Sequence, residues 1–221
     1  MTSASTLHSQ FWRNPAFPWI ELRYVREGQG LAHAAHSHDT FSIGTLLQGQ
    51  CRYQNGKQTY VARAGDTVVV NPEAVHACNP QGEEGWSYVM LFIDQQQFGH
   101  YQPEHSASRM QPYAQALSHS VQVAQQVTGL ARTVMSEAPD TLAHEEHLHG
   151  LVQALADDAG YEHPPMDDRR LTNALALMRH EYAQPLSLAM IAREASLSVS
   201  QLVRGLRQQK HCSPHAYLTS V

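Results

Sequence analysis

Between Ile20 and Ile93 the apolar positions fall in short runs and not at helical spacing. Ile20 to Arg26, Phe41 to Leu47, Cys51 to Gln54, Gln58 to Arg63, Thr67 to Val70 and Trp86 to Ile93 are rich in β-branched and aromatic residues, and predict strands. Turn signals separate them: Glu27-Gly28-Gln29-Gly30, Asn55-Gly56, Gly65-Asp66, Asn71-Pro72 and Asn79-Pro80. Asn55-Gly56 predicts a two-residue type I′ hairpin turn, which needs positive φ at both positions. Short strands at this spacing, with no long helical pattern among them, predict an antiparallel sandwich or barrel.

Beyond about residue 105 the period becomes helical. Ser118 to Val134 is a weak amphipathic stretch. Leu148, Leu151, Val152, Leu155 and Ala159 recur at i, i+3, i+4, i+7 and i+11, and Gly160 with Pro164-Pro165 ends that run. Leu171, Ala174, Leu175, Met178 and Tyr182 repeat the spacing before Pro185. The expected class is α+β: a β-barrel over residues 1–105, a helical linker over 106–165 and an all-α module over 166–221. The stripe from Leu148 to Ala159 suits pairing of two chains into a homodimer, or packing on the barrel.

Charge divides along the same line. The chain carries −5 overall, but residues 167–221 hold seven basic and four acidic residues (+3), leaving eight basic and sixteen acidic (−8) in the first 166. Ends of opposite sign imply two jobs. No apolar run approaches the ~20 residues of a membrane span. Met1 to Ile20 lacks a basic start followed by an apolar core, so it does not read as a secretory signal. Three scattered cysteines, Cys51, Cys78 and Cys212, form no disulfide framework and predict a reducing compartment, most simply a cytoplasm. Cys51 and Cys78 read as small hydrophobes. No serine-centred elbow or phosphate-binding glycine loop occurs.

The most informative segment runs from Pro185 to Val221. Leu188, Ile191, Ala192 and Ala195 make one face of a short helix capped by Ser187. Ser196-Leu197-Ser198 breaks it, and Ser198 to Gln201 is a capping box that starts the next. There Val199, Leu202 and Leu206 point one way, and Ser200, Gln201, Arg204, Arg207 and Gln208 the other. This describes a helix-turn-helix, with Ser213-Pro214 starting a further helix. In a major groove Arg204 would meet a guanine edge and Gln201 or Ser200 its neighbours, while Arg207 and Lys210 would meet phosphate.

Leu186-Ser187-Leu188, Ile191-Ala192, Leu197-Ser198, Leu202, Arg204, and Ser213-Pro214 with Tyr217-Leu218 resemble the first of two helix-turn-helix units in AraC-type transcription regulators. Ser196 stands where that pattern has a glycine, Leu206 replaces a common phenylalanine, and the glycine before Ser213-Pro214 is replaced near His211. The resemblance implies double-stranded DNA, at an operator or promoter, as the partner. It also implies that Val203 faces DNA, although periodicity puts Val203 at the edge of the core. It further implies a second helix-turn-helix after a connecting helix; this chain stops at Val221, and weaker binding by a single unit is expected.

His36-Ser37-His38-Asp39, Gly49, Gly65-Asp66 and Asn71-Pro72-Glu73-Ala74-Val75-His76 resemble the cupin-type ligand-binding domain of the same regulators, over Phe17 to Asp94. His36 and His38 would share one face of a strand and, with His76, offer three nitrogens to a divalent metal. Metal-dependent cupins add a glutamate a few residues later, where this chain has Asp39 to Ile43 and none. The expectation is therefore no cofactor and little tightly bound metal, with these histidines hydrogen-bonded at the barrel mouth. His33 reads as a surface residue. His36, His38, Tyr53, His76, Trp86 and Tyr88 are the candidate lining of a pocket for a small-molecule effector. The expected function is a ligand-responsive, DNA-binding transcription regulator. The alternatives are a metal-dependent cupin enzyme and a sensing module that does not touch DNA.

Overall fold

A computed structural model describes residues 8–28, 34–82, 85–102, 110–138, 140–161, 168–182 and 186–220. His33, Pro164-Pro165, Pro185 and Val221 lie outside them. The chain divides into two compact units, residues 1–137 and 138–221.

The first unit contains β1 (His8–Arg13), β2 (Ile20–Gly28), β3 (Phe41–Gln48), β4 (Gln50–Asn55), β5 (Gln58–Arg63), β6 (Thr67–Val70), β7 (His76–Pro80), β8 (Trp86–Ile93), α1 (Gln95–Gly99), β9 (Leu117–Ser118) and α2 (Val121–Met135). The strands pair antiparallel in a larger sheet, β1-β2-β8-β3-β6-β9, and a smaller one, β5-β4-β7. Val25, Leu46, Val68, Val70, Trp86 and Tyr88 of the larger sheet cluster with Cys51, Tyr53 and Ala62 of the smaller. Burying each large apolar side chain there contributes roughly 1.5–3 kcal/mol. Phe41 to Leu46 is buried continuously because β3 lies between β8 and β6 and α2 packs on the same sheet. Val123, Val127, Leu130, Ala131 and Val134 form the buried stripe of α2. The Asn14 side-chain amide donates to the carbonyls of Val134 and Ser136 at 3.3 and 3.1 Å, which closes the C-terminal end of that helix.

Several expectations change in this unit. β1 is too polar to read as a strand, and forms as an edge by pairing along β2 from His8↔Arg26 to Arg13↔Glu21. Leu117–Ser118 is a strand on β6, and α2 begins only at Val121, behind the Ser120 cap. The hairpin loop is Gly56-Lys57: Asn55 pairs with Gln58, and positive φ occurs at Gly56 (58°) but at neither Asn55 nor Lys57. Glycine at the first loop position matches a type II′ turn and not a type I′. At the β3–β4 corner Gly49 has φ 78°, and a Cβ there would sit 2.7 Å from the Gly85 carbonyl oxygen.

The second unit contains α3 (Thr141–Asp158), α4 (Asp168–His180), α5 (Leu188–Glu194), α6 (Val199–Lys210) and α7 (Pro214–Thr219). Its core joins Leu171, Ala174, Leu175 and Met178 of α4 to Leu188, Ile191 and Ala192 of α5, Leu202, Val203 and Leu206 of α6, and Tyr217 of α7. Serine caps begin three of these helices: Ser187, Ser198 and Ser213 accept from Met190, Gln201 and Ala216 N–H groups. The three-part division is thus redrawn. Among the described residues of the expected linker, α2 belongs with the sheets and α3 packs on α5, α6 and α7. Leu148, Leu151, Val152 and Leu155 are all 4% exposed or less.

Candidate functional site

His36 and His38 are not on a strand: His36 makes an isolated bridge to His76, and His38 lies in the segment before β3. The three imidazoles nevertheless converge, with one nitrogen from each within 4.8 Å of the others. Backbone carbonyls orient them. Nδ1 of His36 faces the Ala34 oxygen at 3.0 Å, Nδ1 of His76 the Ala74 oxygen at 2.9 Å, and Nδ1 of His38 the Thr40 oxygen at 3.2 Å. A carbonyl only accepts, so these contacts favour the Nδ1–H tautomer and leave each Nε2 with a lone pair. Burial lowers the pKa of His38 and His76, and the neighbouring imidazoles lower both further. The charged forms of His38 and His76 are therefore disfavoured.

Beside it lies a cavity of about 90 Å³, lined by Arg23, His36, His76, Cys78, Trp86, Tyr88, Met90 and Phe92. Phe92 also lines a wider, more open groove with His38, Asp39 and Trp19. Four of the six expected lining residues therefore face the cavity: His36, His76, Trp86 and Tyr88. Two do not. His38 opens on the groove, and Tyr53 is a core residue, fully buried, whose hydroxyl donates to the Val69 carbonyl at 2.7 Å. A tyrosine at an alternating strand position has the same pattern whether its ring fills a core or walls a pocket, so sequence could not separate them.

Sequence reasoning missed Arg23, whose guanidinium lies 5.9 Å from the Tyr88 ring centroid and is the cationic wall of the cavity. Nor did it find the condition of Trp86, whose indole Nε1–H is buried without a hydrogen-bond partner among the described residues. A buried donor left unsatisfied costs about 1–3 kcal/mol. The hydrogen bond with Cys51, together with desolvation, raises the pKa of the partly buried Cys78 thiol well above the usual thiol value.

In the second unit the capping box is present: the Ser198 side chain accepts from Gln201 N–H, and Gln201 Oε1 accepts from Ser198 N–H at 2.8 Å. Ser196 and His211, the two positions where the resemblance has glycine, adopt φ of 55° and 54°. The backbone keeps the left-handed geometry with other residues in place. The outer face of α6 departs from expectation. Ser200 and Gln201 are half-buried, Arg207 is partly buried and Lys210 is exposed, but Arg204 is only 6% exposed and Val203 fully buried. Val203 belongs to the core that α6 shares with α4, α5 and α7, and α3 also packs on α6, from outside the helix-turn-helix.

A two-sheet antiparallel barrel with a lined cavity defines a small-molecule-binding domain, here joined to a helical unit. A family model, the AraC-like ligand binding domain, matches residues 17–152, and the chain belongs to that family. It is 22% identical over 193 residues to an uncharacterized HTH-type transcriptional regulator, YbfI of Bacillus subtilis (strain 168), covering 84% of this chain and 69% of that protein. Among solved structures it is similar to a Cupin 2 conserved barrel domain protein from Salinispora arenicola CNS-205 (18% identity, TM-score 0.36, 42% of this chain and 81% of that one). It is also similar to KdgF from Halomonas sp. (17%, TM-score 0.36, 42% and 84%).

Proposed function

We propose that the chain is a ligand-responsive transcription regulator, in which the β unit binds a small effector and α5 and α6 read double-stranded DNA. The observation that carries this reading is the pairing, within one chain of the AraC-like ligand-binding family, of a cavity lined by Arg23, two histidines and aromatic side chains with a capped helix-turn-helix. The regulator relative supports the DNA half. The effector has an apolar or aromatic body against Tyr88, Met90 and Phe92, and an anionic group toward Arg23. On DNA, Ser200 and Gln201 approach base edges while Arg207 and Lys210 meet phosphate. Arg204 joins them only once uncovered, while Val203 stays in the helical core.

The test is selection of bound sequences from random duplex DNA, with and without a panel of small aromatic and aliphatic carboxylic acids. One enriched motif whose recovery changes with an acid supports the reading. No enrichment in any condition removes the DNA-reading half.

A second reading has its own observation. Three carbonyl-oriented imidazoles, with one nitrogen from each within 4.8 Å of the others, fit a divalent metal, although no carboxylate completes the group among the described residues. His36, His38 and His76 would hold the ion, which would act as a Lewis acid on a ligand oxygen. Turnover of a small molecule that depends on added metal and on His76 would favour a cupin enzyme.

A further inference from the structure

The first turns of α3 engage the reader in three places. The Glu145 carboxylate accepts from Leu188 N–H, the first residue of α5, at 3.3 Å. The Glu146 carboxylate, 7% exposed, accepts from His215 N–H in α7 at 3.1 Å. Asp140, which caps α3 through Ala143 N–H, reaches the His215 ring at 2.8 Å. Glu146 also faces the partly buried guanidinium of Arg207, whose positive charge it offsets. Leu142 packs onto the helical core from the same turn.

These contacts bear on α6. Five consecutive residues, Leu202 to Leu206, are buried, which requires packing around the whole circumference of that turn. α4 and α5 cover one side, and α3 approaches α6 more extensively than it does α5 or α7. A helix that enters a major groove must present one face to bases. In this arrangement Arg204 is hidden and Arg207 is partly covered and neutralised.

We propose that the N-terminal half of α3 is an autoinhibitory clasp: it holds α6 covered through Glu145, Glu146 and Asp140, and must leave before α6 can engage DNA. This rests on the DNA-reading proposal above. Glu146 competes with phosphate for Arg207, so duplex DNA and α3 exclude one another. Nothing covalent is needed, because the clasp consists of two carboxylate–amide bonds, one imidazole–carboxylate pair and one packed leucine.

The experiment titrates the 221-residue chain onto a labelled 30-base-pair duplex of mixed sequence at low salt, comparing wild type with Glu146→Gln and Glu27→Gln. Glu27 is exposed beside Arg26 in the β unit, and controls for the loss of one negative charge. Glu146→Gln is expected to bind about tenfold more tightly, with Glu27→Gln within about twofold of wild type. Hydrogen exchange on the wild-type chain is the second measurement: α3 amides should lose protection when duplex is added. Equal affinities for wild type and Glu146→Gln, equal gains in both variants, or DNA binding with α3 protection unchanged would each overturn the clasp while leaving the DNA reading intact. Should Glu146→Gln not fold, the exchange measurement decides. If neither wild type nor variants bind duplex even at low salt, the DNA-reading proposal fails and the clasp falls with it.

Discussion

His36 and His76 exchange both backbone hydrogen bonds, His36 N–H to the His76 oxygen at 3.0 Å and His76 N–H to the His36 oxygen at 2.9 Å. Each then turns its ring so that Nδ1 meets the carbonyl two residues earlier, Ala34 in one case and Ala74 in the other. The same local device is built twice, and the bridge brings the ring centroids within 4.5 Å. His38, 4.8 Å from the His76 ring, completes the group.

Among the described residues no carboxylate stands with the three nitrogens, so the ligand set of the metal-dependent cupins is incomplete. The chain is expected to retain little transition metal after dialysis, yet to take up added Zn²⁺, with a rise in melting temperature that disappears in His76→Ala. Elemental analysis after dialysis and thermal scans with and without Zn²⁺ check both parts. About one retained ion per chain contradicts the first, and no thermal shift contradicts the second.

Tyr53 and Tyr88 should respond differently to loss of the hydroxyl or ring. Tyr53→Phe removes a buried hydrogen bond to Val69, and should cost about 1 kcal/mol of stability while leaving effector binding unchanged. Tyr88→Ala and Trp86→Phe alter the cavity wall and the unpartnered donor, and should reduce effector-induced stabilisation. For wild type that stabilisation is about 2.7 kcal/mol at a hundred times the dissociation constant. Thermal unfolding with and without a carboxylic acid recovered from the panel provides the comparison.

Acid should unfold the helical unit first. Burial pushes His144 down to about 3 and His149 down to about 4, so the folded chain refuses protons that the unfolded chain binds below its ordinary value near 6.5. Their stabilisation is fully present above pH 6.5 and is lost as pH falls toward 3, on the order of a few kcal/mol in total. Glu145, raised by burial, works in the opposite sense, one group against two. All three tryptophans, Trp12, Trp19 and Trp86, lie in the β unit. Helical circular dichroism should therefore fall at a higher pH than tryptophan fluorescence changes; coincident transitions would contradict this.

Two substitutions should stabilise. Ser196 and His211 hold φ near +55°, where a Cβ costs roughly 1 kcal/mol. Ser196→Gly and His211→Gly relieve that strain at the expense of a more flexible unfolded chain. Each should gain a few tenths to about 1 kcal/mol, read as a higher denaturation midpoint at unchanged slope.

The β-branched and aromatic runs of Phe41 to Leu47 and Trp86 to Ile93, the change of period after residue 105, and the capping residues Ser187, Ser198 and Ser213 were legible in the sequence because each reports on neighbours within a turn or a strand. The histidine trio was legible as residue types, but its convergence comes from a bridge between segments forty residues apart. Arg23 became a cavity wall through the β2–β8 pairing, a contact between strands more than sixty residues apart in sequence. The face of α6 was the largest change. Helical periodicity says which residues share a side, and it put Arg204 outside; it has no means of saying what packs against that side. Only the tertiary structure lays α3 there, through carboxylates whose partners are backbone N–H groups that no side-chain pattern announces.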